Sequence, residues 1–430
     1  MKITKNQDKA MNNFSATTEE RVYLRELARK CREYANLPVM AERRKFWHEH
    51  NSRQASRPAL VMELTNFIND ILPPLKCVSP AAQEIEAELQ TRIVNHEMVD
   101  DDKVLPDDYT VPWQIDFRLF DLAVKLHHAE DSEGRSIGYQ FEYDIIDLRR
   151  DIEKLHPSVF SVDREATYAK KAFVESLIGD ILPVNIKNKS MEWGFGITQR
   201  VIMLMGMENM FMRLMDLPEE MVRLFNMIRD DMLEFAKWME REGLLTLNNG
   251  NDYVGSGSYG FTHELPPADF SGMVRCKDLW VNMNSQESVG LSPEMFRDYV
   301  YPSYHEIAKE FGMVYYGCCE PVHDSWEDCI KNLPNLRKVS VSPWCGQQFM
   351  GNVLRGSKVI YSRKPSPNYI GVGDFVPEAY AAHIVETLDA AQGCHLEIIH
   401  RDIYTLNGDR TRPGKAIKIA RELIEKRWNL

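Results

Sequence analysis

The chain has 430 residues, which is too long for one small domain and fits either two domains or one large barrel. Apolar residues make up 44% and charged residues 27% of it, so a disordered or collagen-like chain is excluded. The 52 Lys and Arg against 64 Asp and Glu leave a net charge of −12, which excludes a surface built for nucleic-acid phosphates and weighs against a polycarboxylate ligand.

Residues 1–17 are polar and patternless, and Leu24, Leu27, Ala28, Cys31 and Ala35 then recur at helical spacing. A second helical segment, 42–50, carries Trp47, His48 and His50, and Ala59–Leu64 after Pro58 reads as the first core strand. Between 77 and 200, Val111–Trp113 and Gly138–Tyr143 read as short strands or a hairpin among helices. The block 201–240 holds ten of the 21 methionines, several of them in the buried phase of a helix that Asp216 caps and Pro218 opens. Strand Leu244–Leu247 follows that helix and runs into Asn248, Asn249 and Asp252. The same grammar repeats: a helix from Ser292 to Gly312, bent at Pro302, precedes strand Met313–Tyr316. Helices 324–333, 346–355 and 377–391 lead to strands Lys338–Val341, Lys358–Tyr361 and Leu396–Ile399, and a last helix covers 413–427.

Alternating helices and strands imply parallel strands with right-handed crossovers. No Gly-rich phosphate loop is present, Gly255-Ser256-Gly257 lying well past its strand, and polar residues follow several different strands. The expected fold is therefore α/β, a (β/α)8 TIM barrel over 56–430 with a helical N-terminal extension over 1–55. The eight cysteines are too few and too irregular for a disulfide scaffold. The N-terminus lacks the apolar core of a signal peptide, and no stretch reaches membrane-spanning length. A soluble cytoplasmic protein is expected, with an isologous homodimer as the default assembly.

In a barrel the chemistry lies just after the strands. Cys318-Cys319-Glu320, with His323 and Asp324 close behind, offers thiolate, carboxylate and imidazole donors of the kind zinc takes. A buried pair of packing thiols explains the same residues equally well. His400, Arg401 and Asp402 follow the last strand, whereas Cys394 precedes it and belongs to the opposite rim. Asn248, Asn249, Asp252, Glu287, and Arg363 with Lys364 complete the strand-end candidates, each also explicable as a cap or loop charge. Arg53 to Arg57 forms a basic patch ahead of the first strand.

Leu204–Asn209 before Leu217–Glu220, Gly290–Phe296 with Tyr301-Pro302, and the strand leading to Cys318 together resemble the uroporphyrinogen decarboxylase superfamily over 170–430. Within it the chain is more similar to the cobalamin-dependent methyltransferases. That branch holds zinc with a His-x-Cys pair and a distant cysteine. Here Tyr316 stands at the histidine position if Cys318 is the match, and Gly317 if Cys319 is. The third ligand is Cys394 by spacing or His400 or Asp402 by strand position, and His400 is favoured.

The resemblance implies a zinc-dependent methyltransferase that moves a methyl group between a small-molecule donor or acceptor and a corrinoid (cobalamin) protein, in an anaerobe's demethylation pathway. It makes Cys318, Cys319, Glu320 and His400 the metal ligand pool and Glu287 and Asp252 the catalytic candidates. Asn249, Tyr316, Arg363 and Arg401 are the substrate-binding candidates. The alternatives are a decarboxylase, because Arg53–Arg57 is similar to that enzyme's arginine segment, and a non-catalytic corrinoid-protein binding module.

Overall fold

The computed structural model describes residues 14–123, 126–130, 136–192 and 194–428, so most of the polar tip 1–17 lies outside the described residues. Six parallel strands form the main sheet: β1 (Ala59–Met62), β2 (Trp280–Met283), β3 (Met313–Tyr316), β4 (Leu336–Val341), β5 (Ile360–Arg363) and β6 (Leu396–His400). Their order is β1-β6-β5-β4-β3-β2. Chain neighbours are thus sheet neighbours from β2 to β6, with the first strand laid beside the last, as in a barrel.

The ladder does not close among the described residues; side chains and single bridges occupy its two edges. On β1, the Leu60 amide donates to Asp102 Oδ2 (2.9 Å) and the Met62 amide to Asp101 Oδ2 (2.8 Å). On β2, the Asn248 amide group accepts from the Trp280 N–H (2.9 Å) and donates to its carbonyl (3.0 Å). An isolated parallel bridge also joins Phe195 to Met283. The expected strand Leu244–Leu247 is therefore absent, because one asparagine side chain makes the two bonds that a paired strand would have made.

Alternation sorts the strand residues onto two faces. Leu60, Met62, Val281, Met283, Val314, Tyr316, Val339, Val341, Tyr361, Leu396 and Ile398 pack outward in the large core shared with the helices. That core takes in α5 (Pro218–Arg241) through Met221, Leu224, Phe225, Ile228, Met232, Phe235 and Met239, the positions expected from the sequence. The opposite, concave face carries polar groups. Lys338 and Glu397, both without exposure, meet there at 3.0 Å. Burial pushes the Glu397 carboxyl up, and Lys338, His50 and Lys364 more than reverse this and keep it ionised.

A short hairpin, Tyr253–Gly255 paired with Ser258–Tyr259, lies against this concave face. Ser258 Oγ donates to Glu397 (2.9 Å) and accepts from Lys338 Nζ (2.6 Å). Glycine is required here: a Cβ on Gly255 (φ +143°) would stand 2.7 Å from the Tyr315 ring, and one on Gly257 (φ +86°) 2.5 Å from Ile399 Cγ2.

The N-terminal helices are built into the rest of the molecule. α1 (Thr18–Ala35) opens on a capping box between Thr17 and Glu20. It packs on α3 (Pro80–Val94) and α4 (Arg164–Ile178) around Leu24, Ala28, Cys31, Ile85, Leu89 and Val174. α2 (Pro38–Asn51) sends Trp47 into a cluster with Ala59, Val61 and Ile399, and His50 Nε2 lies 3.2 Å from Glu397. α6 (Gln347–Leu354), α7 (Pro377–Ala390) and α8 (Arg412–Arg427) fall where their periodicity places them. The expected helix 324–333 instead winds as turns with wide bonds such as Ile330 N–H to Ser325 O (3.0 Å), ending in a 3-10 turn. Among the described residues, no helix is long and apolar enough to cross a membrane.

Candidate active site

The loops after β3 and β6 bring together one compact polar group. Gly317 (φ +97°) turns the chain at the end of β3, and the Cys318 carbonyl is held by Ser340 Oγ (2.8 Å). Glu320 fixes this loop: its two oxygens accept from the Ser285 and Cys318 amides at 2.8 and 2.9 Å. Burial raises the Glu320 carboxyl pKa, and those amide bonds oppose the rise.

Cys318 Sγ, in a nearly buried residue, lies 3.6 Å from Cys319 Sγ and 3.7 Å from Arg401 Nη1. Cys319 is partly exposed, and its thiol points to Asp402 Oδ2 at 3.7 Å. The hydrogen bond from Cys319 and the Arg401 guanidinium lower the Cys318 thiol below its ordinary value despite burial. The same thiol contact raises Cys319. The guanidinium beside the inner sulfur and the carboxylate beside the outer one thus favour negative charge on Cys318 over Cys319.

Arg401 is shared. Its Nε lies 3.4 Å from Glu63 and 3.3 Å from Asp402, and Tyr253 Oη of the hairpin donates to Glu63 (3.3 Å). Ser256, at the hairpin tip, donates to the Gly317 carbonyl (3.1 Å). Lys364 lies deeper, where Nζ bonds to Tyr315 Oη (2.7 Å) and Ser362 Oγ (2.6 Å), and burial lowers its pKa to about 7. Toward the other sheet edge, Lys187 pairs with Asp252 (2.8 Å). Burial pushes the nearby Glu192 carboxyl up to about 7, Lys189 and Lys187 opposing and Asp252 adding to the shift.

Of the expected substrate-binding residues, Arg401 alone belongs to this group. Asn249 Nδ2 is spent on the Leu265 carbonyl (2.7 Å), and Tyr316 Oη faces outward to Ser285 Oγ (2.7 Å). Arg363 Nη1 caps the Val341 and Ser342 carbonyls at 3.2 and 2.6 Å. Of the expected catalytic pair, Asp252 takes the Lys187 ammonium, and Glu287 accepts from Thr198 Oγ1 (2.7 Å) in the outer packing beside Tyr304.

The expected zinc ligands are not brought together. β6 runs one residue further than expected, so alternation places His400 on the outer face with Leu396 and Ile398. Its Nδ1 donates to the Val61 carbonyl (3.3 Å), which leaves Nε2 to accept from Tyr380 Oη of α7 (2.8 Å). Both ring nitrogens are thus used, and Glu320 has both oxygens on backbone amides. Cys394 donates to the Gly351 carbonyl (3.3 Å) at the opposite rim. Among the described residues, no group of three His, Cys, Asp or Glu side chains could hold a metal ion. The residues present therefore do not fit the zinc site that the resemblance implies.

The arginine segment lies at the far end of the sheet, before β1, where Arg57 pairs with Asp102 at 2.7 Å. Of the strand-end candidates, Lys364 does face inward, while Glu63 beside Arg401 and Glu192 beside Lys187 and Asp252 are not among the residues expected from the sequence. For Glu63 a signal is present, since it continues the inward phase of its strand.

The fold is similar to that of a solved methyltransferase from Methanosarcina mazei, with a TM-score of 0.51 and 12% sequence identity over 89% of this chain and 98% of that one. No protein-family model matches the sequence, and no curated protein does.

Proposed function

We propose that this protein is a barrel enzyme of methyl transfer, acting between a small-molecule donor or acceptor and a corrinoid carried by a partner protein in a demethylation pathway. The observation that carries this reading is the contact between Cys318 and Arg401 at the strand ends, in a fold similar to that of a solved methyltransferase.

Displacement at a methyl carbon needs an electron-rich attacking atom kept from water, and a leaving group whose charge is accepted as it departs. The guanidinium of Arg401, one face on a sulfur and the other on carboxylates, holds an anionic or thiol-bearing substrate near the mouth. Glu192 gives or takes a proton at neutral pH, because desolvation raises its half-buried carboxyl to about 7. The corrinoid supplies the cobalt that carries the methyl group. Trp344 and Tyr404, 71% and 75% exposed on the loops after β4 and β6, are aromatic side chains suited to docking its carrier.

The test is methyl transfer from methylcobalamin to a panel of thiols, phenols and tetrahydrofolate, followed by loss of the methylcobalamin absorbance and by product mass. Transfer above the enzyme-free rate, reduced about tenfold or more in Arg401→Ala, is expected. Background rates with every acceptor would refute the reading. Background rates with retained binding of a corrinoid carrier would leave a binding module, and carbon dioxide release from a porphyrinogen would replace the proposal with a decarboxylase.

A further inference from the structure

We infer that Cys318 and Cys319 form a peroxide-reactive thiol pair, a reversible oxidative modification site that closes to a disulfide between adjacent residues. The inference goes beyond methyl transfer and does not depend on it.

Four observations carry it. The two sulfurs are 3.6 Å apart, so neither side chain has to travel far to bond. Arg401 Nη1 stands 3.7 Å from the inner sulfur, and a guanidinium there stabilises both a thiolate and the alkoxide or hydroxide that leaves when a peroxide is attacked. The outer cysteine is partly exposed, lies 3.7 Å from Asp402 and adjoins the inner sulfur, so it stands ready as the resolving thiol. Of the eight cysteines Cys319 alone is partly exposed, and it is in contact with Cys318, whereas those at 31, 77, 276, 329, 345 and 394 are buried like Cys318 but away from this mouth.

The step balances. The Cys318 thiolate attacks the outer oxygen of a hydroperoxide, the O–O bond breaks, and an alkoxide or hydroxide leaves while sulfur becomes a sulfenic acid. The Cys319 thiol then displaces that hydroxyl as water, and the S–S bond forms. Two thiols are oxidised by two electrons, and one hydroperoxide is reduced to an alcohol, or to water, with a water released.

Adjacent Cα atoms are about 3.8 Å apart, below the roughly 4.4–6.8 Å that disulfides usually span. The bond is strained and hence easily reduced, which marks a switch and not a structural staple. Oxidation takes the sulfur's charge away from Arg401 and so changes the mouth of the site.

The experiment treats the reduced full-length protein with one equivalent of hydrogen peroxide and maps the tryptic peptide 310–331, which carries Cys318, Cys319 and Cys329. Loss of two hydrogens, assigned by fragmentation to 318–319 and reversed by dithiothreitol, is expected. Cys319→Ser should stop at a sulfenic acid on Cys318 that dimedone captures, and Arg401→Gln should slow oxidation about tenfold. The inference is overturned if both thiols survive that dose, if another cysteine reacts first, or if Cys319 is oxidised equally fast in Cys318→Ser. The wild-type map decides the matter even where a variant does not fold.

Discussion

The buried Lys338–Glu397 pair supports the hairpin beneath the candidate site, so Lys338→Met tests whether that support is electrostatic. At 3.0 Å the attraction is about 5.5 kcal/mol for an effective dielectric constant of about 20. Breaking one side of such a pair generally costs about 3–5 kcal/mol, because the surviving charge stays buried. Glu397 would keep Ser258 (2.9 Å) and His50 (3.2 Å), which places the expected loss near 3 kcal/mol. That is a large part of the roughly 5–15 kcal/mol that holds a domain together. Urea denaturation of wild type, Lys338→Met, Glu397→Leu and the double variant completes the cycle. The double variant should be more stable than Lys338→Met, since it removes the orphaned carboxylate along with the amine. A single-variant loss under about 1 kcal/mol, or a double variant less stable than both singles, would refute the reasoning.

Two further outcomes concern pH. The Glu192 carboxyl titrates at about 7 when folded, against an ordinary value of 4.5; the folded state therefore binds the extra proton, and stability falls as pH rises from about 4.5 to 7. Glu192→Gln should flatten that slope in urea midpoints and remove any rate step near neutrality; an unchanged profile in both readouts excludes the assignment. His400 behaves oppositely, because burial holds its pKa at about 4, below the ordinary 6.5. The unfolded chain takes up that proton first, so stability is lost as pH falls from 6.5 toward 4, by up to about 3 kcal/mol. His400→Phe should be less acid-sensitive than wild type when thermal midpoints are compared at pH 7 and 5, and an equal drop in both would count against it.

Much of the architecture was legible from periodicity. The strands at 313–316 and 396–399 and the helices at 346–355, 377–391 and 413–427 are present within one or two residues, because each couples an apolar period to a clear stop. The fifth strand runs 360–363 instead of 358–361, a shift of two that keeps every side chain on its face but draws Arg363 into the ladder and away from the mouth. His400 shows the opposite sensitivity: one residue of extra strand was enough to turn the expected ligand outward. The stretch 324–333 has helical burial at Trp326, Cys329 and Ile330, yet burial spacing does not specify whether the backbone closes its bonds at four residues or at five. Of the site, strand ends alone place Cys318 and Arg401 at the same rim, but not in contact with each other. The contacts of Glu63 with Arg401 and of Ser256 with the Gly317 carbonyl depend on sheet curvature and on the hairpin, which local sequence does not encode.

The carboxylates on the outer edge of β1 have a consequence for solubility. An open strand edge is a template on which another chain can add a strand. Here Asp101 and Asp102 occupy the Met62 and Leu60 amides, and Arg57 and Arg421 clamp Asp102 at 2.7 and 3.1 Å. Two short acidic side chains thus keep intermolecular strand pairing from starting at β1, and their protonation or replacement would expose an aggregation-prone edge before the core itself came apart.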